Sequence, residues 1–431
     1  MFKKLLSIWR KWILNVSFGF ADQVLLSGAN FFFNVLLVRW LLPREYGVFA
    51  VAFSIFIFSS GFQNALILQP ASVIGAAYYQ ESLSRYFGIV TLINGVLTCG
   101  FSIIFLLIAL IMALCHHYLA FSFMGLSIAT PFILFFWLFR QFCYIKTRPD
   151  LAWRASLLYA FFLIGGTFTL ENYSFVSAFN AFTIMAFSSF LSTVFFWRYL
   201  GIDGIWVCIN QRSGRVNNIL NEHWRYGRWV VGSAFSSWFS TVSYLPLVGF
   251  LVGIQQAGVF RAIQNLMLPL ERLLSVFSLL LIPWISKNRS LKGDGYVKKR
   301  LFTLMMINLF LASVFGLFLI IYGNRFAKLL YGSHYVVSFT WLLPYFVIIT
   351  VISVLVQVLG IGLKILERPD VIFWAENIST VLTLTFGLYL VAAFELRGAA
   401  IGLLISTITM FISLSYFLFK HFRRSKSAQI S

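Results

Sequence analysis

The sequence predicts an all-α integral membrane protein with twelve transmembrane helices in two six-helix lobes related by a parallel internal repeat. Three observations carry this prediction: an apolar composition beyond what a water-soluble chain sustains, cationic gaps that fall on alternating sides of the apolar runs, and two motifs that recur at nearly the same offset. Of the 431 residues, 60% are hydrophobic, 19% aromatic and only 11% charged, with 50 Phe, where a soluble domain carries about 25% charged residues. No soluble fold of this length buries that much apolar surface, so a water-soluble enzyme is excluded.

A hydrocarbon core about 30 Å thick takes roughly 20 apolar residues per helix. Apolar runs bounded by charge then place spans near 18–42, 47–68, 86–114, 122–144, 152–171, 176–200, 228–252, 257–285, 302–322, 338–362, 371–394 and 398–419. The third run is long enough to tilt, and the fifth and sixth are parted only by Asn172, Tyr173, Ser174 and Phe175. Ahead of the first, residues 1–16 read as an interfacial helix: Phe2, Leu5, Trp9, Trp12, Ile13 and Val16 share one face, with Lys3, Arg10 and Lys11 opposite. The apolar run after it is too long for a cleavable leader and lacks a small-residue cleavage site. The expected organisation is an N-terminal lobe over 17–200, a cytoplasmic linker over 201–227, a C-terminal lobe over 228–420 and a basic tail over 421–431.

The net charge of +20 raises the question of nucleic acid, and the distribution of the cations answers it. They collect in the polar gaps on one side, among them Lys3, Lys4, Arg85, Arg140, Lys146, Arg148, Arg225, Lys298, Lys364, Arg368 and Lys420. The other side holds Arg39, Arg44, Arg325, Lys328 and Arg397, and Arg261 and Arg272 fall inside span eight. This is positive-inside topology with both termini cytoplasmic, and no nucleic-acid partner is expected.

Two motifs repeat. Arg44-Glu45-Tyr46-Gly47-Val48-Phe49 at the start of span two has its counterpart in Gln255-Gln256-Ala257-Gly258-Val259-Phe260 at the start of span eight. Arg148-Pro149-Asp150 before span five returns as Arg368-Pro369-Asp370 before span eleven. Matching loops at matching offsets indicate two halves of the same orientation, a plan that commonly places a substrate site between the halves.

The sequence carries no nucleotide-binding GxxxxGK[ST], no GxSxG and no HExxH. Cys99, Cys115, Cys143 and Cys208 are scattered and His116-His117 sits at a loop end, so no catalytic residue, metal site or cofactor is expected. What remains is polarity inside the membrane, which is expensive and therefore informative. Gln23, Ser27, Asn30 and Asn34 form a stripe on span one; Ser233, Ser237, Ser240 and Tyr244 form one on span seven, with Ser236 beside it; Arg261, Asn265 and Arg272 align on span eight. Such residues also bind helices together by hydrogen bonds, and Arg261 is near enough to a helix end to snorkel. Arg272 is too deep for that, which makes it the principal candidate for substrate binding. Asp22, Glu271 and Glu376 are the acids within the spans; any of them could carry a proton or an ion, and the sequence does not choose. Gly249xxxGly253 and Gly398xxxGly402 have the spacing of close helix packing.

The segment Leu37-Val38-Arg39-Trp40-Leu41-Leu42-Pro43-Arg44-Glu45-Tyr46-Gly47-Val48-Phe49-Ala50 resembles the first-to-second helix junction of polysaccharide-repeat-unit flippases of the Wzx type, which share a superfamily with multidrug and toxic compound extrusion transporters. Gly258 to Arg261, Leu268-Pro269 and Ile282-Pro283-Trp284-Ile285-Ser286 are similar to the family's eighth helix, and Leu329-Leu330-Tyr331-Gly332 to the short element after the ninth. The resemblance implies a transporter of the bacterial inner membrane with a cationic central cavity, lined largely by helices one, two, seven and eight. The substrate it implies is an undecaprenyl-diphosphate-linked oligosaccharide, moved by alternating access, with membrane lipids and other polysaccharide-assembly proteins as partners. Arg261, Arg272 and Arg39 would suit the diphosphate, because guanidinium binds phosphate in bidentate fashion; Asn265, Asn30, Asn34, Gln23, Ser237 and Tyr244 complete the expected binding set. A multidrug exporter on the same scaffold is the alternative and a membrane glycan polymerase a more distant one.

Overall fold

The computed structural model describes residues 2–75, 78–200, 214–332, 336–366 and 368–427, and every regular element among them is helical. In lipid each backbone polar group has to be satisfied within the protein, which a helix does within its own segment. Residues 201–213 of the expected linker, 428–431 of the expected tail and the side chains of 1–13 lie outside the described residues.

The first helix, α1, runs Phe2–Trp40 without interruption, so the expected interfacial helix and span one share one helical rod. At 1.5 Å per residue it is about 58 Å long, well beyond the hydrocarbon core. Next come α2 (Pro43–Gln63), which continues through π-helical Asn64–Leu68 and Ala71–Gly75, then α3 (Leu83–Leu114), α4 (Ala120–Ile145), α5 (Pro149–Asn172) and α6 (Ala178–Trp197). The seventh, α7 (Gly214–Ser237), passes into π-helical Trp238–Val242 and bends by 50° into Tyr244–Leu251. Pro246 accounts for the bend: it has no N–H for the Val242 carbonyl, and its ring crowds that oxygen.

Helical structure over Ile254–Tyr331 is broken at Gly293 (φ 70°), which separates α8 (254–292) from α9 (294–331). After α10 (Val336–Ile365) comes α11 (Pro369–Leu382), extended through π-helical Thr383–Gly387 to residue 394. Glu395 (φ 53°) separates it from α12, residues 396–427. By length and hydropathy nine helices among the described residues can cross a membrane, or ten with the bent α7 pair counted as one span. Dividing the long Asp370–Arg423 stretch at Glu395 and adding α8 gives the twelve expected.

The chain forms two compact units, one of residues 1–41 and 52–234, the other of 42–51 and 235–431. Of the three borders, that between Leu41 and Leu42 falls in the loop before α2 and the other two fall inside helices: the first turns of α2, to Val51, belong to the second unit, and α7 divides between Ala234 and Phe235. The expected division into 17–200 and 228–420 follows the ends of apolar runs instead, because hydropathy marks where a helix crosses the membrane and carries nothing about its packing partners.

The repeat is visible in the local geometry of each unit. Arg148 before α5 has φ/ψ of −118°/59° and Arg368 before α11 has −117°/58°. Each is followed by proline at the first helical position, where no N–H is needed, and by aspartate in the first turn, where the helix dipole favours it. Arg148 donates Nε and Nη2 to the Asp150 carboxylate at 3.0 and 3.0 Å; Arg368 does the same to Asp370 at 3.0 and 2.9 Å. The guanidinium bonds hold both carboxyls below their ordinary range. These pairs are exposed, so their contribution to stability is small, about 0–1 kcal/mol each.

Candidate functional site

The second unit contains a cavity of about 670 Å³ between α8, α10, α11, α12 and the bent part of α7. From α8 it is lined by Arg261, Gln264, Leu268 and Glu271, and from α10 by Thr350, Ser353, Gln357 and Lys364. Spacings of three, four and seven residues put each set on one helical face. Ser237 and Thr241 enter from the α7 side, Glu376 from α11, and Ser406 and Thr407 from α12.

Two contacts give the cavity a vertical scale. The rings of Phe260 on α8 and Phe346 on α10 meet edge to face at 5.0 Å. Ile285, further along α8, joins Val358, Leu359, Ile361, Leu363 and Ile365 of α10 in one apolar cluster. The two helices therefore run in the same direction. Counting from the Phe260–Phe346 level at 1.5 Å per residue, Arg261 stands at that level, Glu271 and Gln357 about 16 Å further, and Lys364 about 27 Å further. Arg261 Nη1 donates to Gln264 Oε1 at 3.3 Å. Two cations and two acids thus share one hydroxyl- and amide-lined space.

Of the residues singled out in the sequence, Arg261, Ser237, Glu271 and Glu376 line this cavity. Arg272 does not; it is exposed beside it. The lining face of α8 centres on Gln264 and Leu268, so the line through Arg261, Asn265 and Arg272 is its edge, and Arg261 alone of the three reaches the cavity. Asn265 is fully buried, its Nδ2 donating to the Tyr46 hydroxyl at 2.6 Å. Tyr244 is likewise fully buried, with its hydroxyl 3.1 Å from Ser406 Oγ and 3.4 Å from Thr383 Oγ1. Both are packed inside the unit. Ser236 donates to Asn377 Oδ1 at 3.1 Å, and Ser240 to the Ser237 carbonyl at 3.1 Å.

The α1 stripe lies in the first unit. Asn30 Nδ2 donates to the Leu26 carbonyl at 2.8 Å and its Oδ1 accepts from the Tyr159 hydroxyl at 3.1 Å; Asn34 Nδ2 donates to the Asn30 carbonyl at 2.8 Å. Gln23 and Ser27 are half-buried, and Arg39 is exposed at the end of α1. Asp22 is fully buried in an ion pair with Arg140 (2.5 Å), and its carboxylate also accepts from the Tyr144 hydroxyl. Of the three acids, then, Asp22 is locked in a pair within the first unit, while Glu271 and Glu376 converge on the cavity of the second. Sequence reasoning missed Gln264, Gln357 and Lys364. Lys364 read as a loop cation, although it falls seven residues after Gln357 and so on the same helical face.

The first unit holds a second buried polar junction. His223 on α7 is 2% exposed, with Nδ1 2.9 Å from the Leu66 carbonyl and Nε2 2.8 Å from the Tyr86 hydroxyl. A carbonyl can only accept, so Nδ1 carries the proton and Nε2 accepts from the tyrosine. Leu66 belongs to the π-helical stretch Asn64–Leu68. Burial holds the His223 pKa below its ordinary value of 6.5.

Fold and cavity together define a polytopic helical membrane protein with two helical units and a polar cavity of mixed charge in the second. No protein-family profile matches the chain, and no curated protein matches it in sequence. Solved structures match it in fold. An inward-facing multidrug resistance MATE family transporter of the MOP superfamily aligns with TM-score 0.76 at 12% identity, covering 94% of this chain and 96% of that one. Lipid II flippase MurJ in an inward closed conformation aligns with TM-score 0.68 at 13% identity over 94% of this chain and 87% of its own. The eukaryotic MATE transporter AtDTX14 aligns with TM-score 0.66 at 17% identity over 95% and 96%. The chain thus has the fold shared by these multidrug transporters and a lipid flippase.

Proposed function

We propose that this protein flips an undecaprenyl-diphosphate-linked oligosaccharide repeat unit from the cytoplasmic to the outer face of a bacterial inner membrane, by alternating access, during polysaccharide assembly. The observation that carries this reading is Arg261 in the polar cavity of the second unit. A guanidinium lining a polar cavity suits an anionic ligand, and hydroxyls and amides beside it suit a glycan. The resemblance of the helix junctions to Wzx-type flippases supports the same substrate. Loss of the gene is expected to leave labelled lipid-linked oligosaccharide on the cytoplasmic face, and restoring it to relieve the accumulation. Normal sidedness without the gene would overturn the reading.

One observation favours a second reading. Glu271 and Glu376 line the same cavity, and paired carboxylates suit an organic cation, as in a multidrug exporter. In that case cells lacking the gene become sensitive to cationic dyes while the lipid-linked oligosaccharide crosses normally.

A further inference from the structure

Lys364 is the second cation of the cavity, and it stands far from the first. It lies one residue before the end of α10, about 27 Å from the level of Arg261 by helical rise. In the proposed topology that end is cytoplasmic. Glu376, seven residues into α11 from Pro369, lies about 10 Å deeper than the end of the helix, and Glu271 and Gln357 share a level between the two cations. The wall therefore reads cation, then carboxylates and amide, then cation, along a single cavity.

A diphosphate is much shorter than this spacing and cannot bridge it. Between the cations the wall offers an anion no positive charge on which to rest, while Glu271, Glu376 and Gln357 accept hydrogen bonds from sugar hydroxyls. We propose that Lys364 is the capture station for the diphosphate at the cytoplasmic mouth and that the headgroup then passes to Arg261 at the deep end. This rests on the flippase reading for the identity of the cargo and for sidedness. Lysine fits the first task and arginine the second: a flexible, strongly hydrated point charge attracts an anion without holding it in one pose, whereas the guanidinium fork fixes it. A charge at the mouth acts on the rate of encounter and its salt dependence more than on the later steps of transport.

The test uses the full-length protein in proteoliposomes with a fluorescent undecaprenyl-diphosphate oligosaccharide. Lys364→Gln is expected to raise the half-saturating concentration about tenfold, to leave the maximal rate within about twofold, and to flatten the salt dependence. Lys364→Arg should restore all three, while Arg261→Gln should lower the maximal rate. A Lys364→Gln variant that matches the wild type in half-saturation, or that loses maximal rate as Arg261→Gln does, overturns the proposal. A parallel measurement separates it from the flippase reading: equilibrium binding of geranyl diphosphate to the solubilised protein, with thermal unfolding confirming that the variants fold. If the wild type moves no lipid-linked oligosaccharide, the flippase reading falls, and capture by Lys364 stands if geranyl diphosphate binding weakens about tenfold in Lys364→Gln. Binding indifferent to Lys364 overturns the capture station whatever the transport result.

Discussion

Gly47 and Gly258, one from each copy of the repeated motif, meet backbone to backbone. A Cβ on Gly47 would lie 1.8 Å from the Ile254 carbonyl oxygen, and one on Gly258 would lie 2.2 Å from the Pro43 carbonyl oxygen. Each obstacle sits four residues before the opposite glycine, so the contact is reciprocal, a local two-fold between the starts of α2 and α8. The motif repeats because both copies have to supply the same flat surface to the same crossing.

Gly47→Ala and Gly258→Ala are therefore each expected to destabilise the purified protein by about 1–3 kcal/mol, the usual range for forced overpacking. Gly28→Ala is the control, since a Cβ there meets nothing within 4 Å. Thermal unfolding in detergent compares the three. Equal midpoints for Gly28→Ala and Gly258→Ala would refute the close crossing.

Beside that crossing, Asn265 and Tyr46 form a fully buried hydrogen bond at 2.6 Å. Tyr46→Phe strands the amide and should lower stability by about 1–3 kcal/mol, because a buried donor is left unsatisfied. In Tyr46→Phe/Asn265→Leu both polar partners are gone, so the double variant should lose less than the sum of the singles. Additive losses in denaturation experiments would contradict the pairing.

Arg261 lines the cavity and Arg272 lies beside it, so the two should differ in transport. Arg261→Gln is expected to lower transport and leave lipid-linked oligosaccharide accumulating on the cytoplasmic face of complemented cells. Arg272→Gln should retain most of the transport, because Arg272 does not line the cavity. The opposite ranking would place the working face of α8 on the Arg272 side.

His223 gives the first unit a pH dependence whose sign is set by its surroundings. The folded-state pKa lies below 6.5, so on acidification the unfolded chain takes up a proton before the folded one, and stability falls as pH drops below about 6.5. The loss should be visible as a lower unfolding temperature at about pH 5.5 than at about pH 7.5. In His223→Gln, whose amide N–H can still donate to the Leu66 carbonyl, this difference should shrink. An undiminished difference would assign the pH effect to other groups.

The membrane-crossing helices and the matching starts of α5 and α11 were legible in the sequence because each depends on local quantities: runs of apolar residues, and proline beside arginine and aspartate at two helix starts. Arg261, Glu271 and Glu376 could likewise be singled out as charges inside spans. Which face of α8 looks into the cavity was not legible. Lipid tails are as apolar as a protein interior, so in a helix surrounded by either, hydropathy does not tell one side from the other, and the choice between Glu271 and Arg272 waits on the neighbours of α8. The same holds for Tyr244, polar by residue type and buried by the packing around it. Lys364, a loop cation by sequence, becomes a cavity residue because α10 extends to Ile365, and Glu271 and Glu376, on separate helices, share one space only because α8 and α11 pack around it. The sequence by itself determined which segments are apolar enough to cross a membrane, since transfer from water to lipid is a property of each segment; tertiary structure alone decided which polar groups meet, since meeting is a property of pairs.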